Sequence, residues 1–112
     1  MEPMPVRPEV VHVHAVLPDV TYLGPISGDR HHARVVIDFD PGPHRSTVDT
    51  ASLDELVCWL TDQKLLAEDV AACVADAVAD AVQATVDVSV EQRMFNRVEL
   101  TPTARGHPGG SP

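Results

Sequence analysis

The sequence has 112 residues, 44% of them apolar, and a formal net charge of −9 at pH 7. This length fits one domain with a modest core, and the negative charge argues against nucleic acid or an anionic membrane surface as a partner. No stretch reaches the roughly 18 apolar residues of a membrane span, and residues 1–8 lack the apolar segment of a signal peptide. We therefore expect a cytoplasmic protein.

The first half of the chain predicts two strands separated by turns. Residues 10–17 alternate valine or alanine with histidine, and residues 33–40 (ARVVIDFD) are rich in β-branched residues, so both segments predict strands. Residues 18–30 contain the glycine, proline and serine pairs that are typical of turns. A short extended segment is expected at residues 47–48, before the first helix.

Two helices are predicted next. Ser52 and Glu55 have the spacing of a capping box, which predicts a helix over roughly residues 52–61. The second helix is expected over about residues 66–82, with Glu68 in its first turn, where free N–H groups and the helix dipole favour a carboxylate. Its apolar stripe is predicted to contain Leu66, Val70, Cys73, Val74, Ala77, Val78 and Ala81.

Small residues and cysteines add two expectations about these helices. Ala72, Ala75 and Ala79 fall on the same side of the second helix as Glu68, and a side of small residues suggests close contact with another element. Cys58 and Cys73 lie among apolar neighbours in predicted helices. We therefore expect two buried free thiols in a reducing compartment.

The remaining elements complete a β-β-α-α-β-β order. Residues 85–91 (TVDVSVE) and 95–101 (FNRVELT) predict two strands joined by a short turn. This order predicts an α+β fold, an antiparallel sheet with two helices on one face. Residues 9–101 would form the domain, residues 1–8 a flexible lead-in, and the Gly/Pro-rich residues 102–112 a disordered tail.

Candidate chemistry is sparse in the residue pattern itself. His12 and His14 share one face of a predicted strand, but no Cys-x-x-Cys or His-x-x-x-His spacing supports zinc, so no metal site is expected. No phosphate-binding glycine loop or serine elbow is present. A carboxylate at a helix start, such as Glu68, can accept two parallel N–H donors from a guanine-like or pterin-like ring. The simpler interpretation is a solvated first-turn glutamate.

Three segments together resemble the 7-cyano-7-deazaguanine reductases of queuosine biosynthesis. That family's pattern reads Leu-Cys-Pro-x-Thr-Gly, then Val-Glu-Ser-Lys-Ser-Leu-Lys, then His-Glu-Asp. The resemblance covers roughly residues 15–100 and implies a tunnelling fold (T-fold), as in GTP cyclohydrolase I, dihydroneopterin aldolase and pyruvoyl-tetrahydropterin synthase. T-fold relatives close barrels from several subunits, so a homo-oligomer is expected. The matching segments are Leu23-Gly24-Pro25-Ile26-Ser27-Gly28, Val48-Asp49-Thr50-Ala51-Ser52-Leu53 and Ala67-Glu68-Asp69.

The same resemblance indicates which family functions are missing. The nucleophilic cysteine falls on Gly24, which has no side chain to form a thioimide with a nitrile. The acidic proton donor falls near His31, so His31 and His32 become the candidate acid–base residues. Residues 49–54 fall where the family has a lysine-bearing stretch that is linked to the nicotinamide cofactor. This chain has no lysine there and carries Asp49 and Asp54, which argues against NADPH. The ring-recognising glutamate is retained as Glu68.

We therefore expect a T-fold protein that binds a guanine-, 7-deazaguanine- or pterin-like ring through Glu68, with Gly24, Ser52 and Leu53 also at the site. It would lack nitrile reductase activity and serve as a repurposed enzyme of a specialised purine or pterin pathway. One alternative is a non-catalytic partner or structural subunit of a T-fold assembly. Another is an NADPH-dependent nitrile reductase whose nucleophile is one of the two cysteines.

Overall fold

A five-stranded antiparallel sheet forms the centre of the molecule in the computed structural model, which describes residues 1–95 and 97–109. Its strands run in the order β2-β3-β5, and β6 and β7 both pair with the remaining edge of β5. A separate two-stranded ribbon joins β1 to β4. The strands are β1 (Pro3–Pro5), β2 (Val13–Leu23), β3 (Arg30–Phe39), β4 (Ser46–Val48), β5 (Val86–Phe95), β6 (Val98–Leu100) and β7 (Thr103–Gly106).

Two helices, α1 (Thr50–Leu60) and α2 (Ala67–Val82), pack on one face of this sheet. The helix-facing side is built by strict alternation, since Val35, Ile37 and Phe39 are buried and their neighbours in β3 are not. Burial of such side chains supplies most of the stabilisation, about 1.5–3 kcal/mol for each large one. Among the described residues, the helices are too short or too polar to cross a bilayer.

The predicted element order is confirmed, because β2-β3-α1-α2-β5-β6 follows the expected β-β-α-α-β-β pattern. The turn predicted over residues 18–30 is confirmed for residues 24–29 and is wrong for residues 18–23, since β2 continues to Leu23. The pairing of β2 with β3 shifts register between Leu17 and Val20, which marks a β-bulge at Pro18 and Asp19. Proline lacks a donor but is tolerated there because β2 is an edge strand.

The start of α1 also differs from the prediction. Asp49 is the N-cap, and its Oδ1 accepts the backbone N–H of Ser52 at 3.0 Å. The capping box that was predicted for Ser52 and Glu55 is therefore wrong, and the helix begins at Thr50. The hydrogen bonds from Ser52 lower the pKa of Asp49, as expected for a carboxylate at a helix N-terminus.

The buried stripe of α2 is rotated from the predicted one. Cys73, Ala77 and Ala81 are only half-buried, and Leu66 is 49% exposed. The prediction of close contact on the small-residue side is confirmed for Ala75 and Ala79, which are buried, and is wrong for Ala72, which is exposed. The buried residues are Ala67, Val70, Ala71, Val74, Ala75, Val78, Ala79 and Val82.

Both terminal segments are more ordered than expected. β7 lies inside the predicted tail of residues 102–112 and pairs with β5 from Ser89 to Val86, so the prediction of disorder is wrong for this part. Gly110, Ser111 and Pro112 lie outside the described residues. At the other end, β1 pairs with β4, and the side chain of Arg45 donates to the carbonyl oxygens of Arg7 and Val10. The lead-in is therefore tied to the domain.

Gly106 makes the contact between β7 and α2 testable. A Cβ atom at Gly106 would overlap the carbonyl group of Ala75, and overpacking of this kind costs about 1–3 kcal/mol. We expect Gly106→Ala to lower the free energy of unfolding by that amount in urea denaturation. Thr103→Ala, on the exposed side of the same strand, should change it by less than about 0.5 kcal/mol. Equal stability of the two variants would contradict this packing.

Candidate functional site

The helix-facing side of the sheet is apolar except at one end, where a cluster of three polar side chains lies. Tyr22 is paired with His31 across β2 and β3, and Gln92 of β5 is paired with the buried Ala33. Because side chains alternate along a strand, the register places these three polar side chains on the same face as the core. Their neighbours toward the middle of the sheet are aliphatic, such as Val90.

The linker between the helices brings Glu68 to this cluster. The backbone N–H of Leu23 donates to the Gln63 carbonyl, and the N–H of Leu65 donates to the Leu23 carbonyl, both at 2.9 Å. These bonds hold the end of β2 against the segment that leads into α2. Glu68 then follows in the first turn of the helix with an exposed side chain.

Tyr22 is the central member of the cluster. Its side chain is 1% exposed, and its hydroxyl donates to Gln92 Oε1 at 2.6 Å. Its ring centroid lies 5.7 Å from that of His31 in a tilted arrangement. Burial, and then the nearby negative charge of Glu68, raise the pKa of Tyr22 to about 12. The hydroxyl therefore keeps its proton at neutral pH and acts as a donor.

Gly24 contacts the cluster through His31. A Cβ atom at Gly24 would lie 2.9 Å from His31 Nε2, which is closer than side chains pack. The φ angle of Gly24 is not positive, unlike that of Gly28. Glycine at position 24 is therefore explained by space for the imidazole and not by backbone conformation.

Comparison with known proteins gives one kind of match. No family model and no curated protein sequence matches the chain. Among solved structures, the archaeosine synthase QueF-Like in the apo form is similar, with a TM-score of 0.77 and 21% sequence identity over 91% of this chain and 97% of that one. The chain has the tunnelling fold. At this identity the likeness establishes the fold, and the predicted fold class is confirmed.

The predicted site residues of this T-fold chain divide into two groups. Gly24 and Tyr22 both lie against His31, and Glu68 is near enough for its charge to act on Tyr22. Ser52 and Leu53 lie in the first turn of α1. Leu53 lines a recess of about 510 Å³ between β2 and α1, together with Leu17 and Val57 among others, and neither Gly24 nor Glu68 lines it. Within one chain, Ser52 and Leu53 are therefore not part of the cluster.

His32, the second candidate acid–base residue, lies away from His31. Adjacent residues of a strand point to opposite faces, so His32 is on the side of the sheet that faces away from the helices. Its Nδ1 lies 3.2 Å from Asp19 Oδ1. The structure brings His31 to the cluster with Glu68 and places His32 outside it.

Sequence reasoning missed Tyr22 and Gln92. Tyr22 fell within residues 18–30, which were predicted to form turns, and Gln92 fell in the predicted turn between the last two strands. A usable signal was present: Tyr22 is the single tyrosine of the chain, and Gln92 continues the inward alternation of Val86, Val88 and Val90. A polar residue that follows a period-two run of buried valines indicates where a core ends.

His12 and His14 form a second polar cluster with Asp38 and Asp40, at the opposite end of β3 from His31. His12 contacts Asp40 Oδ1 at 2.6 Å and Asp38 Oδ1 at 3.0 Å, and His14 Nδ1 contacts Asp38 Oδ1 at 2.7 Å. The hydrogen bonds to Asp38 and then Asp40 raise the pKa of His12, and His12 and then His14 lower that of Asp38. In the described part of the chain, no group of three or more His, Cys, Asp or Glu side chains could hold a metal ion.

The two cysteines both lie in helices, Cys58 in α1 and Cys73 in α2. Cys58 is exposed on α1 and Cys73 is half-buried in α2, so the prediction of two buried thiols is wrong for Cys58. Burial, followed by the charges of Asp69 and Asp76, raises the pKa of Cys73, which disfavours the reactive thiolate. Cys58 was predicted on an apolar stripe, but α1 contacts the sheet mainly through Leu53 and Leu60.

The relation between Gly24 and His31 predicts the effect of one added methyl group. In Gly24→Ala the imidazole must move, but since Nε2 is at the end of a flexible side chain, we expect the free energy of unfolding to change by less than about 1 kcal/mol. The His31 ring resonances should shift in an NMR spectrum. Gly28→Ala is the matched control, because its positive φ adds strain of about 1 kcal/mol without moving His31. An unmoved His31 resonance in Gly24→Ala would contradict the contact.

Proposed function

We propose that this T-fold protein binds a guanine-, 7-deazaguanine- or pterin-like ring through the carboxylate of Glu68. The observation that carries the proposal is the position of Glu68, exposed in the first turn of α2 beside the polar cluster of Tyr22, His31 and Gln92. Two carboxylate oxygens match the ring N–H and the exocyclic amino group of such rings.

His31 is the acid–base residue of the proposed site. Histidine is the side chain best suited to proton transfer at physiological pH, and its ring is positioned by Tyr22 and by the space at Gly24. No thiol occurs at position 24, so covalent capture of a nitrile has no nucleophile there. The two lysines of the family pattern fall on Ala51 and Asp54, and this loss of positive charge disfavours NADPH. The reaction would therefore be one that proceeds by proton transfer.

The similar T-fold structure is that of an archaeosine synthase, and this likeness supports a substrate of the 7-deazaguanine class. We place the protein in a specialised purine or pterin pathway in the cytoplasm. The alternative, a non-catalytic subunit of a T-fold assembly, shares the fold but does not require a ligand at Glu68. Binding measurements distinguish the two functions.

A homo-oligomer is part of the proposal. Glu68 is open to solvent in one chain, and β2 is an edge strand whose hydrogen-bonding groups face outward. Leu53 lines a recess next to this edge. A second copy that pairs along such an edge would cover Glu68 and bring Ser52 and Leu53 of one chain toward the cluster of another.

Glu68→Gln tests the ring-binding proposal. The substitution keeps the size of the side chain but replaces one acceptor with a donor, so that one ring N–H faces another N–H. Charge-assisted hydrogen bonds contribute about 1.5–3 kcal/mol each, so we expect affinity to fall roughly 100-fold. Calorimetric titration with guanine, pterin and 7-cyano-7-deazaguanine measures this loss.

The control for this experiment is Asp76→Asn on the exposed side of α2. Asp69, the neighbour of Glu68, is unsuitable because its Oδ2 accepts the backbone N–H of Leu66 at 3.2 Å and helps to cap the helix. Asp76→Asn should bind as the wild type does, and neither variant should melt at a markedly different temperature. If Glu68→Gln binds all three rings as tightly as the wild type, Glu68 is a solvated surface residue.

The absence of a thiol at Gly24 predicts no nitrile reduction. Loss of a nucleophile costs several orders of magnitude in rate, so we expect no NADPH oxidation with 7-cyano-7-deazaguanine and no covalent adduct in the intact mass spectrum. An adduct that maps to Cys58 or Cys73 would establish a relocated nucleophile instead. Cys58→Ser and Cys73→Ser then show which thiol reacts.

A further inference from the structure

Gln92 is a polar residue at a position where the strand pattern calls for an aliphatic one. It faces the helix side of the sheet, opposite Ala33 and two residues beyond the buried Val90. Its side chain is half-buried and is held by the Tyr22 hydroxyl at 2.6 Å. Residues 22 and 92 are 70 positions apart, so this pair is made by the fold and not by local sequence.

The hydrogen bond fixes which end of the Gln92 amide remains available. The Tyr22 hydroxyl keeps its proton, because burial and Glu68 hold its pKa at about 12, so it donates and the amide oxygen accepts. Among the residues whose side chains the structure describes (1–93 and 97–109), the Tyr22 hydroxyl is the hydrogen-bond partner of the Gln92 amide, which leaves the two N–H donors on Nε2 for another acceptor. A partly buried donor is stabilised only when water or a ligand satisfies it.

The ring that Glu68 is proposed to bind offers such an acceptor. In guanine-like and pterin-like rings, the N–H and amino donors that would face a carboxylate are followed along the same edge by a carbonyl oxygen. A donor beside Glu68 is therefore required to satisfy the whole edge. The two backbone bonds of Leu23 hold the segment that leads into α2 against the end of β2, where Tyr22 contacts Gln92. The Gln92 amide and the first turn of α2 therefore lie at the same end of the sheet.

We propose that Gln92, oriented by the hydroxyl of Tyr22, is the specificity residue that donates to the ring carbonyl of the ligand. This inference rests on the proposed ring binding at Glu68 and adds the substrate class, a ring with adjacent amino, N–H and carbonyl groups. Tyr22 is a positioning residue in this arrangement. It fixes the rotation of the amide so that a donor and not an acceptor faces the ligand.

Guanine and 6-thioguanine test the proposal, since both carry the N–H and amino donors for Glu68. Sulfur is a weak acceptor, so the wild type should bind guanine about tenfold more tightly, the value of one neutral hydrogen bond. Gln92→Leu keeps the side-chain size and removes the donor. In this variant guanine should weaken about tenfold while 6-thioguanine changes little, and the preference should disappear.

Two further variants separate a specific role from a structural one. Tyr22→Phe keeps the ring but frees the Gln92 amide to rotate, so the preference for guanine should fall by several-fold without loss of 6-thioguanine affinity. Ser89→Ala, on the opposite face of the same strand β5, should retain the full preference. The ratio of the two affinities is the readout, because a general loss of structure weakens both ligands equally.

The outcomes distinguish this inference from the proposed function. If the wild type binds guanine through Glu68, as shown by its loss in Glu68→Gln, but Gln92→Leu keeps the tenfold preference, Gln92 is not the specificity residue. If the wild type binds both ligands equally, the inference is also overturned. If it binds neither, the ring-binding function itself fails, and this inference with it.

Discussion

Two backbone hydrogen bonds at Leu23 are the constraint on which the candidate site depends. They join the end of β2 to the linker at Gln63 and Leu65, each at 2.9 Å. The linker would otherwise be free to lead α2 away from the sheet. With it held, Glu68 begins its helix next to Tyr22, although the two residues are far apart in the chain. Backbone groups make this attachment, so it does not depend on the identity of the linker side chains.

The position of the site follows from the lengths of the elements. α2 has 16 residues and spans about 24 Å, whereas β5 has 10 residues and spans roughly 33 Å. The short connection from Val82 to Val86 keeps the end of the helix beside the start of the strand. The uncovered length therefore lies at the other end, where Gln92 and the first turn of α2 are found. The apolar core ends there, and the side chains on the helix-facing side of the sheet are polar.

The sequence predicted the fold and three residues of the candidate site, Gly24, His31 and Glu68, but it did not predict Tyr22 or Gln92. Motif spacing located Gly24 and Glu68, and alternation located the buried face of β3, because both signals are local. The extension of β2 past Pro18 was missed, because proline is typical of turns. The sequence alone does not show that this proline lies at a β-bulge of an edge strand. β7 was missed because Gly106 and its neighbours have weak strand propensity, and they are held in place by pairing with β5 and by packing on Ala75. Tyr22 and Gln92 meet through register across three strands, which no local pattern reveals.

The contact between Gly24 and His31 determines what chemistry this T-fold site can perform. The space that a side chain at position 24 would occupy is filled by an imidazole nitrogen. An imidazole in that place transfers protons readily, whereas a thiolate would form a covalent bond to an electrophilic carbon. The ring of a ligand bound at Glu68 would therefore meet an acid–base group in place of a nucleophile. The same recognition edge is then compatible with a different reaction, because the carboxylate and the reactive residue are supplied by different elements, α2 and β3.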